Sequence, residues 1–505
     1  MNQRKAGTLL SYLHIFVSNT ISILYTPYML RMMGQSEYGL FGTANSFISY
    51  LSILSFGIGG AYIRFNARYR AAGDREGEKQ LNGMFLTVFS CLSLLVLIGG
   101  AGCIVLAEEL VEETFTAQEL YKLRIILLLL VINMMITFIC NVITMALQAY
   151  EKYIVLRTVS LVTGIMTPLV NVIALNMGGR AVAITALSLT ISIICYVFYF
   201  FYARNAIKME FSFRGFRKNV LKEIFVFSGF LFLNSITDQI TFSTDNIVLS
   251  ALKGTGAVAV YTVGSNFKNY FQQFSGAVSG VFGSMVNLMV ARKQDIKALD
   301  EVFVRVGRIQ FYVVSLILIG YVSIGRDFVR MWAGEDYGDA FIIGLMLMIS
   351  VFVPAFQNIG LEIQNALNKH KARSIAYFCI ALLNIAMTIP FSKWWGGIGA
   401  ALATMVSMFL GRVLFMNFYY AKYMGLDITG FWKSIASILP GYILPIGAGF
   451  LINRFWLMDS YVDILCAAVV ISGIFLISVC LFSMNEYEKR LLSTMRNKVT
   501  PRKLQ

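Results

Sequence analysis

The segment SITDQITFSTDNIVLS, from Ser235 to Ser250, places Asp238 and Asp245 inside an otherwise apolar run. Seven residues is close to two helical turns, so both carboxylates share one helix face, about 10 Å apart. Charge held in hydrocarbon is expensive and marks a use for it. Two acids there could bind Na+ or a proton, since a low-dielectric site raises a carboxyl pKa, or they could neutralise a buried cation. Lys268 is such a cation, about eleven residues into the next apolar run and roughly 16 Å deep. It could contact a phosphate or pair with either aspartate. Arg64 and Arg68, one turn apart in GGAYIRFNARYR, are further phosphate-binding candidates, or else interfacial anchors that snorkel. Arg412 lies in the inner part of a later run.

The elements that carry these groups are membrane helices. The chain has 505 residues, 57% hydrophobic and only 14% charged, with a mean hydropathy of +0.69. Soluble domains carry about 25% charged residues. Apolar runs long enough to cross a ~30 Å hydrocarbon core recur throughout. Fourteen are counted, near 8–30, 37–65, 83–106, 124–148, 156–177, 181–203, 223–250, 257–290, 307–326, 339–364, 374–392, 397–420, 434–456 and 461–484. The first is too long for a signal-peptide core and contains Asn19, Thr20 and Pro27, so it reads as a membrane helix.

Lys and Arg gather in alternate loops, such as RFNARYRAAGDREGEKQ, RNAIKMEFSFRGFRKNVLK and the tail after Asn485. The positive-inside rule makes those loops and both termini cytoplasmic. The opposite loops are acidic, as in AEELVEETFTAQE and GEDYGD. A net charge of +15 then faces an anionic inner leaflet and calls for no nucleic acid. The seven cysteines all sit in apolar runs without C-x-x-C spacing, which suits small packing residues rather than disulfides or metal ligands. No G-x-x-x-x-G-K-[ST] motif is present, so ATP is not the expected energy source.

The chain repeats itself. MGQSEYGLFGTANSF from Met33 returns as KGTGAVAVYTVGSNF from Lys253, with Gly34 on Gly254, Phe41 on Tyr261 and Phe47 on Phe267. GGRAVAITALSL from Gly178 returns as GGIGAALATMVS from Gly396. Six spans per repeat, an even number, give both halves the same orientation, with a pseudo-two-fold axis along the membrane normal. The expected fold is an all-α polytopic membrane protein with an N-terminal lobe at 1–205, a C-terminal lobe at 206–425, two further helices at 426–485 and a basic tail at 486–505.

Polar residues repeat as well. Asn45, Ser49, Ser52 and Ser55 form a stripe on the second span, matched on the eighth by Ser265, Asn269, Gln272 and Ser275. On the first span Ser18, Asn19, Tyr25 and Thr26 correspond to Asp238, Gln239, Asp245 and Asn246 on the seventh. Polar groups facing lipid would go unsatisfied, so these stripes should line a wet cavity or bond helix to helix, at about 0.6–2 kcal/mol per contact. The charge belongs to the second repeat alone: Asp238 and Asp245 answer to Ser18 and Tyr25, and Lys268 to Ile48.

TDNIVLSALKGTGAVAVYTVGSNF, Thr244 to Phe267, resembles the helix 7–8 segment of polysaccharide-transporter flippases in the multidrug/oligosaccharidyl-lipid/polysaccharide exporter superfamily. GGIGAALAT from Gly396 and YTPYMLRMMGQSEYGLF from Tyr25 resemble it too. The resemblance implies a two-lobed bundle in the bacterial cytoplasmic membrane. Its cavity, between helices 1, 2, 7 and 8, alternates between leaflets and carries a polyprenyl-diphosphate-linked oligosaccharide for surface or exopolysaccharide biosynthesis. It also implies a lipid-tail groove on helices 13 and 14. The expected partners are that lipid-linked glycan, membrane lipids, and a polysaccharide polymerase and glycosyltransferases. No cofactor and no metal are expected beyond a coupling ion, Na+ or H+, or the membrane potential.

In that role the hydroxyl and amide stripes suit the sugar, because each uncompensated sugar hydroxyl is costly in hydrocarbon. A diphosphate moving outward is favoured by roughly 4–5 kcal/mol across ~100 mV. Glu362 is expected to pair with Lys369, His370 or Lys371, and His14 to make a helix–helix contact. Two alternatives remain. A multidrug:cation antiporter would share the fold and its buried acids. A membrane glycan polymerase or ligase is disfavoured, because the longest outer loop, about 107–123, is short and has no histidine.

Overall fold

Backbone N–H and C=O groups in hydrocarbon must be satisfied within their own segment, and helices do this throughout the computed structural model. It describes residues 3–55, 58–214, 218–367, 369 and 371–490, with the side chains of 3–9, 12, 218–235, 277–281, 284 and 371 left out. Among the described residues there is no strand. In chain order the helices are α1 (Gln3–Met33), α2 (Gln35–Leu51), α3 (Gly59–Ala71), α4 (Arg75–Val111), α5 (Ala117–Ala149), α6 (Tyr153–Asn176), α7 (Ala181–Ala206) and α8 (Lys218–Ala291). Then come α9 (Ile296–Ala333), α10 (Asp339–Phe356), α11 (Asn358–Ala366), α12 (Lys371–Met408), α13 (Met416–Tyr419), α14 (Ile428–Ala436), α15 (Ile443–Phe455) and α16 (Tyr461–Phe482). Eleven helical segments among the described residues are long and apolar enough to span a membrane. Two of them, 236–276 and 372–424, contain a break at Gly254 and Gly396. The chain is a multi-pass membrane protein.

The breaks follow the repeat. Gly34 and Gly254 have φ of 82° and 76°, and Gly178 and Gly396 have 86° and 57°. These are left-handed values that a side chain disfavours, so glycine returns where the path must turn. Gly73 answers to Lys293 (φ 52°), and Lys208 (φ 50°) to Gly425 (φ 75°). The backbone therefore bends at offsets of 217 to 220 residues, close to the 218 and 220 of the sequence repeat.

Two compact units are present: Met1–Thr262 with Tyr377–Ala403, and Val263–Ala376 with Thr404–Gln505. In the first, the core gathers Tyr62, Phe85, Phe89, Val96, Val131 and Phe138 from α3, α4 and α5, with Tyr62 and Phe85 edge to face at 4.9 Å. Thr116 and Glu119 form a capping box that starts α5. The acidic 107–123 segment is therefore mostly helix ends, and Glu108 pairs with Arg124 at 2.5 Å. Buried Glu37, near the start of α2, pairs with Lys122 of α5 and accepts from Ala181 N of α7 at 3.2 Å. At the other end of these helices, the 207–214 segment lies on α4. Ser212 N donates to Lys79 O at 2.9 Å, and Lys79 pairs with Glu210 at 2.5 Å. That hydrogen bond, and then the lysine's charge, holds the Glu210 carboxyl below its ordinary pKa.

The second unit is built on aromatic packing. Phe303 stacks on Phe431 at 4.5 Å, and Phe311 meets Phe356 at 5.0 Å and Tyr442 at 5.5 Å. Beside them Arg308 of α9 is 4% exposed. Its Nε and Nη2 donate to the two oxygens of Glu488 at 2.6 and 3.0 Å, Nη1 donates to Ser434 O at 2.6 Å and Nη2 also to Ser483 O at 3.0 Å. The guanidinium thus ties α14 and the end of α16 to α9. A fork of donors matched to one carboxylate is the geometry in which a buried pair is tolerated.

Candidate transport site

The polar stripe on α2 faces the one on the first half of α8, within one unit. Asn246 Nδ2 donates to Ser46 Oγ at 2.9 Å. Ser49 Oγ donates to Ser243 Oγ (2.8 Å), Ser243 Oγ to Gln239 Oε1 (2.8 Å), and Gln239 Nε2 to Ser52 Oγ (3.4 Å). Tyr50 and Thr244 share another hydroxyl bond. Numbers rise from 46 to 52 on α2 as they fall from 246 to 239 on α8, so the helices run antiparallel along this seam. Each bond of this kind contributes about 0.6–2 kcal/mol. Ser49 and Ser52, expected on a cavity wall, here take part in helix–helix bonding. At the Ser52 end of the seam α2 gives way to a 3-10 turn, Ser52–Ser55.

Asp245 is 1% exposed. Tyr261 Oη donates to its Oδ2, and Thr388 Oγ1 of α12 donates to its Oδ1 at 3.2 Å. Tyr261 and Thr388 are buried, as is Asn384 one turn earlier on α12. Hydrogen bonds to the ionised form lower the cost of a buried carboxylate. Neither partner was expected from sequence, yet a signal was there for one: Tyr261 replaces Phe41 at the repeat offset, as Asp245 replaces Tyr25. The acid and its phenol donor occur together in the second repeat only. Asp238, two turns away, is exposed, and so is Asn45, whose amide donates to Phe41 O at 2.7 Å.

The other candidates are placed as follows. Ser18 is half-buried, and a Cβ on Gly164 of α6 would lie 3.0 Å from its Oγ, with His14 beside it. Arg64 and Arg68 are exposed, Arg64 lying over the Phe65 ring at 5.2 Å. In the second unit Lys268 is 4% exposed, and the neighbouring Phe267 packs on Tyr321 at 5.3 Å and Trp332 at 5.4 Å. Ser265 and Gln272 are half-buried and Asn269 is exposed. Ser275, the last of that stripe, donates to Ala355 O at 2.8 Å. Arg412 is half-buried in a π-helical turn, Phe409–Phe415. Lys369 donates to Tyr423 O at 2.7 Å rather than to Glu362, reaching a carbonyl in the last turn of the π-helical segment Tyr420–Met424. His370 and the Lys371 side chain lie outside the described residues, as do 491–505 of the tail. All seven cysteines are free. Among the described residues no three His, Cys, Asp or Glu side chains form a metal-binding group.

This fold is shared with membrane transporters. It superposes on the lipid II flippase MurJ in an inward closed conformation with a TM-score of 0.66 and 17% identity, covering 94% of this chain and 98% of that one. An inward-facing multidrug resistance MATE transporter gives 0.62 at 13% identity, covering 83% and 99%. The fold class is therefore that of the multidrug/oligosaccharidyl-lipid/polysaccharide exporter superfamily. Residues 5–282, over half of the chain, match the polysaccharide biosynthesis protein family, and the chain belongs to it. It is 22% identical over 500 residues to the uncharacterized membrane protein EpsK of Bacillus subtilis strain 168, across 94% of each chain.

Proposed function

We propose that the protein moves a polyprenyl-diphosphate-linked oligosaccharide from the inner to the outer leaflet of the bacterial cytoplasmic membrane by alternating access, with both termini cytoplasmic. The observation that carries this reading is the row of hydroxyl and amide groups along α2 and α8, deep in spans that are otherwise apolar. Their mutual bonds are weak and can be exchanged for bonds to sugar hydroxyls when the helices part. Lys268 supplies charge for the diphosphate, and Arg64 and Arg68 are separate cationic candidates for the same role. The prenyl tail has a place in the apolar groove of about 490 Å³ between α9 and α15, lined by Leu318, Val322, Ile446 and Phe450.

Asp245, which accepts from the Tyr261 and Thr388 hydroxyls, is the first coupling candidate, for Na+ or a proton. Asp238 is the second coupling candidate. A polysaccharide polymerase and glycosyltransferases would use or supply the translocated glycan. The buried acid also fits a multidrug:cation antiporter, and one experiment separates the two. Deletion of the protein should remove a surface glycan and leave drug sensitivity unchanged; lost drug resistance with intact glycan would reverse the reading. Lys268→Ala should abolish glycan export with protein abundance unchanged. Normal export in that variant removes Lys268 from the diphosphate role.

A further inference from the structure

We propose that Glu119 is a clasp joining the outer ends of α2 and of the second half of α8, and that transport requires it to open. This rests on the transporter reading above. One carboxylate oxygen, Oε2, completes the cap of α5, accepting from Thr116 N and Oγ at 2.8 Å each. The other, Oε1, accepts from Ser36 Oγ at 2.5 Å and from Thr255 Oγ1 at 3.0 Å. Ser36 is the second residue of α2, and Thr255 follows the break at Gly254. Each stands in the first turn of its helix, at neighbouring positions of the two repeats. Helix N-termini favour an anion between them.

Below the clasp the helices meet backbone to backbone. A Cβ on Gly39 would overlap the Thr255 carbonyl, and one on Gly42 would lie 2.9 Å from Thr262 Oγ1. Thr114 Oγ1 adds a bond to Ser250 O at 2.7 Å. Meanwhile Glu37 ties α2 to α5 through Lys122 and to α7 through Ala181 N. α2, α5 and α7 are thus held as one piece, and at its outer end Glu119 is where that piece grips the helix beyond Gly254. The grip suits opening, because glycine faces part without repacking a core and Glu119 is only partly buried, so water can replace both hydroxyl donors.

The test uses the Gln35→Cys/Gly256→Cys pair, since the Gln35 amide lies 3.8 Å from a Cβ built on Gly256, in a chain whose native cysteines are replaced. Copper phenanthroline oxidation is followed in membranes without substrate. Cross-linking should be fast with Glu119 present and slow by about tenfold in Glu119→Ala. Ser36→Ala/Thr255→Val, which leaves the α5 cap intact, should slow it as much. Unchanged rates in both, with the chain folded by gel filtration, overturn the clasp. The oxidised pair should stop glycan export and recover it on reduction; export at the unoxidised rate overturns the need for opening. The cross-linking rate needs no substrate, so it stands apart from whether the unmodified chain translocates glycan.

Discussion

The two compact units are fastened in different ways. In the first, the partly exposed Glu119 meets the exposed Ser36 and the buried Thr255 through their hydroxyls, over glycine surfaces. In the second, Arg308 and Glu488 are both about 5% exposed, and the guanidinium also holds backbone from Ser434 and Ser483. A carboxylate released from hydroxyls is rehydrated at small net cost. A buried charge stripped of its partner is not, at about 3–5 kcal/mol. The first fastening is built to open and the second to stay.

The largest test of that contrast is Arg308→Met, expected to cost about 3–5 kcal/mol and to lower thermal stability in detergent sharply. Arg308→Met/Glu488→Leu should recover most of it; a mild single variant would mean the knot is not permanent. Next, Gly39→Ala forces its Cβ into the Thr255 carbonyl and should cost about 1–3 kcal/mol while slowing the Gln35–Gly256 cross-link, since the helices must separate. A smaller effect compares the repeats. Gly425→Ala should lose about 1 kcal/mol at its left-handed position, whereas Lys208→Gly, at the matching position, should lose nothing or gain a few tenths. Smallest is Ser49→Ala, at about 0.6 kcal/mol. A loss above ~2 kcal/mol there would make the α2–α8 seam a fixed contact rather than one that sugar can replace.

Much of this was legible in the residues, in uneven measure. Helical periodicity put Asp238 and Asp245 on one face, and the gaps left between apolar runs fell at Gly254 and Gly396, where glycine permits the turn. The stripes on the second and seventh spans were visible as polar faces. That they meet each other was not, since helix pairing is a tertiary matter. Thr388, 143 residues beyond Asp245, is one threonine among many in apolar runs. Tyr261 could have been singled out by its pairing with Phe41. Glu119 is hidden in the acidic segment AEELVEETFTAQE, whose charge reads as a mark of topology, and Arg308 is one cation among many whose burial no charge count reveals. Charge counts locate a membrane face, but they do not say which charge is buried or what it holds.

The proposed movement of a lipid-linked glycan across the membrane can be followed directly. Its most direct test is reconstitution into vesicles with a labelled polyprenyl-diphosphate oligosaccharide, following leaflet exchange with and without a membrane potential or a Na+ or H+ gradient. Protein-dependent exchange is expected, faster with a gradient or potential and lost in Lys268→Ala. Exchange no faster than in protein-free vesicles, from folded protein that still exports drugs, would contradict it.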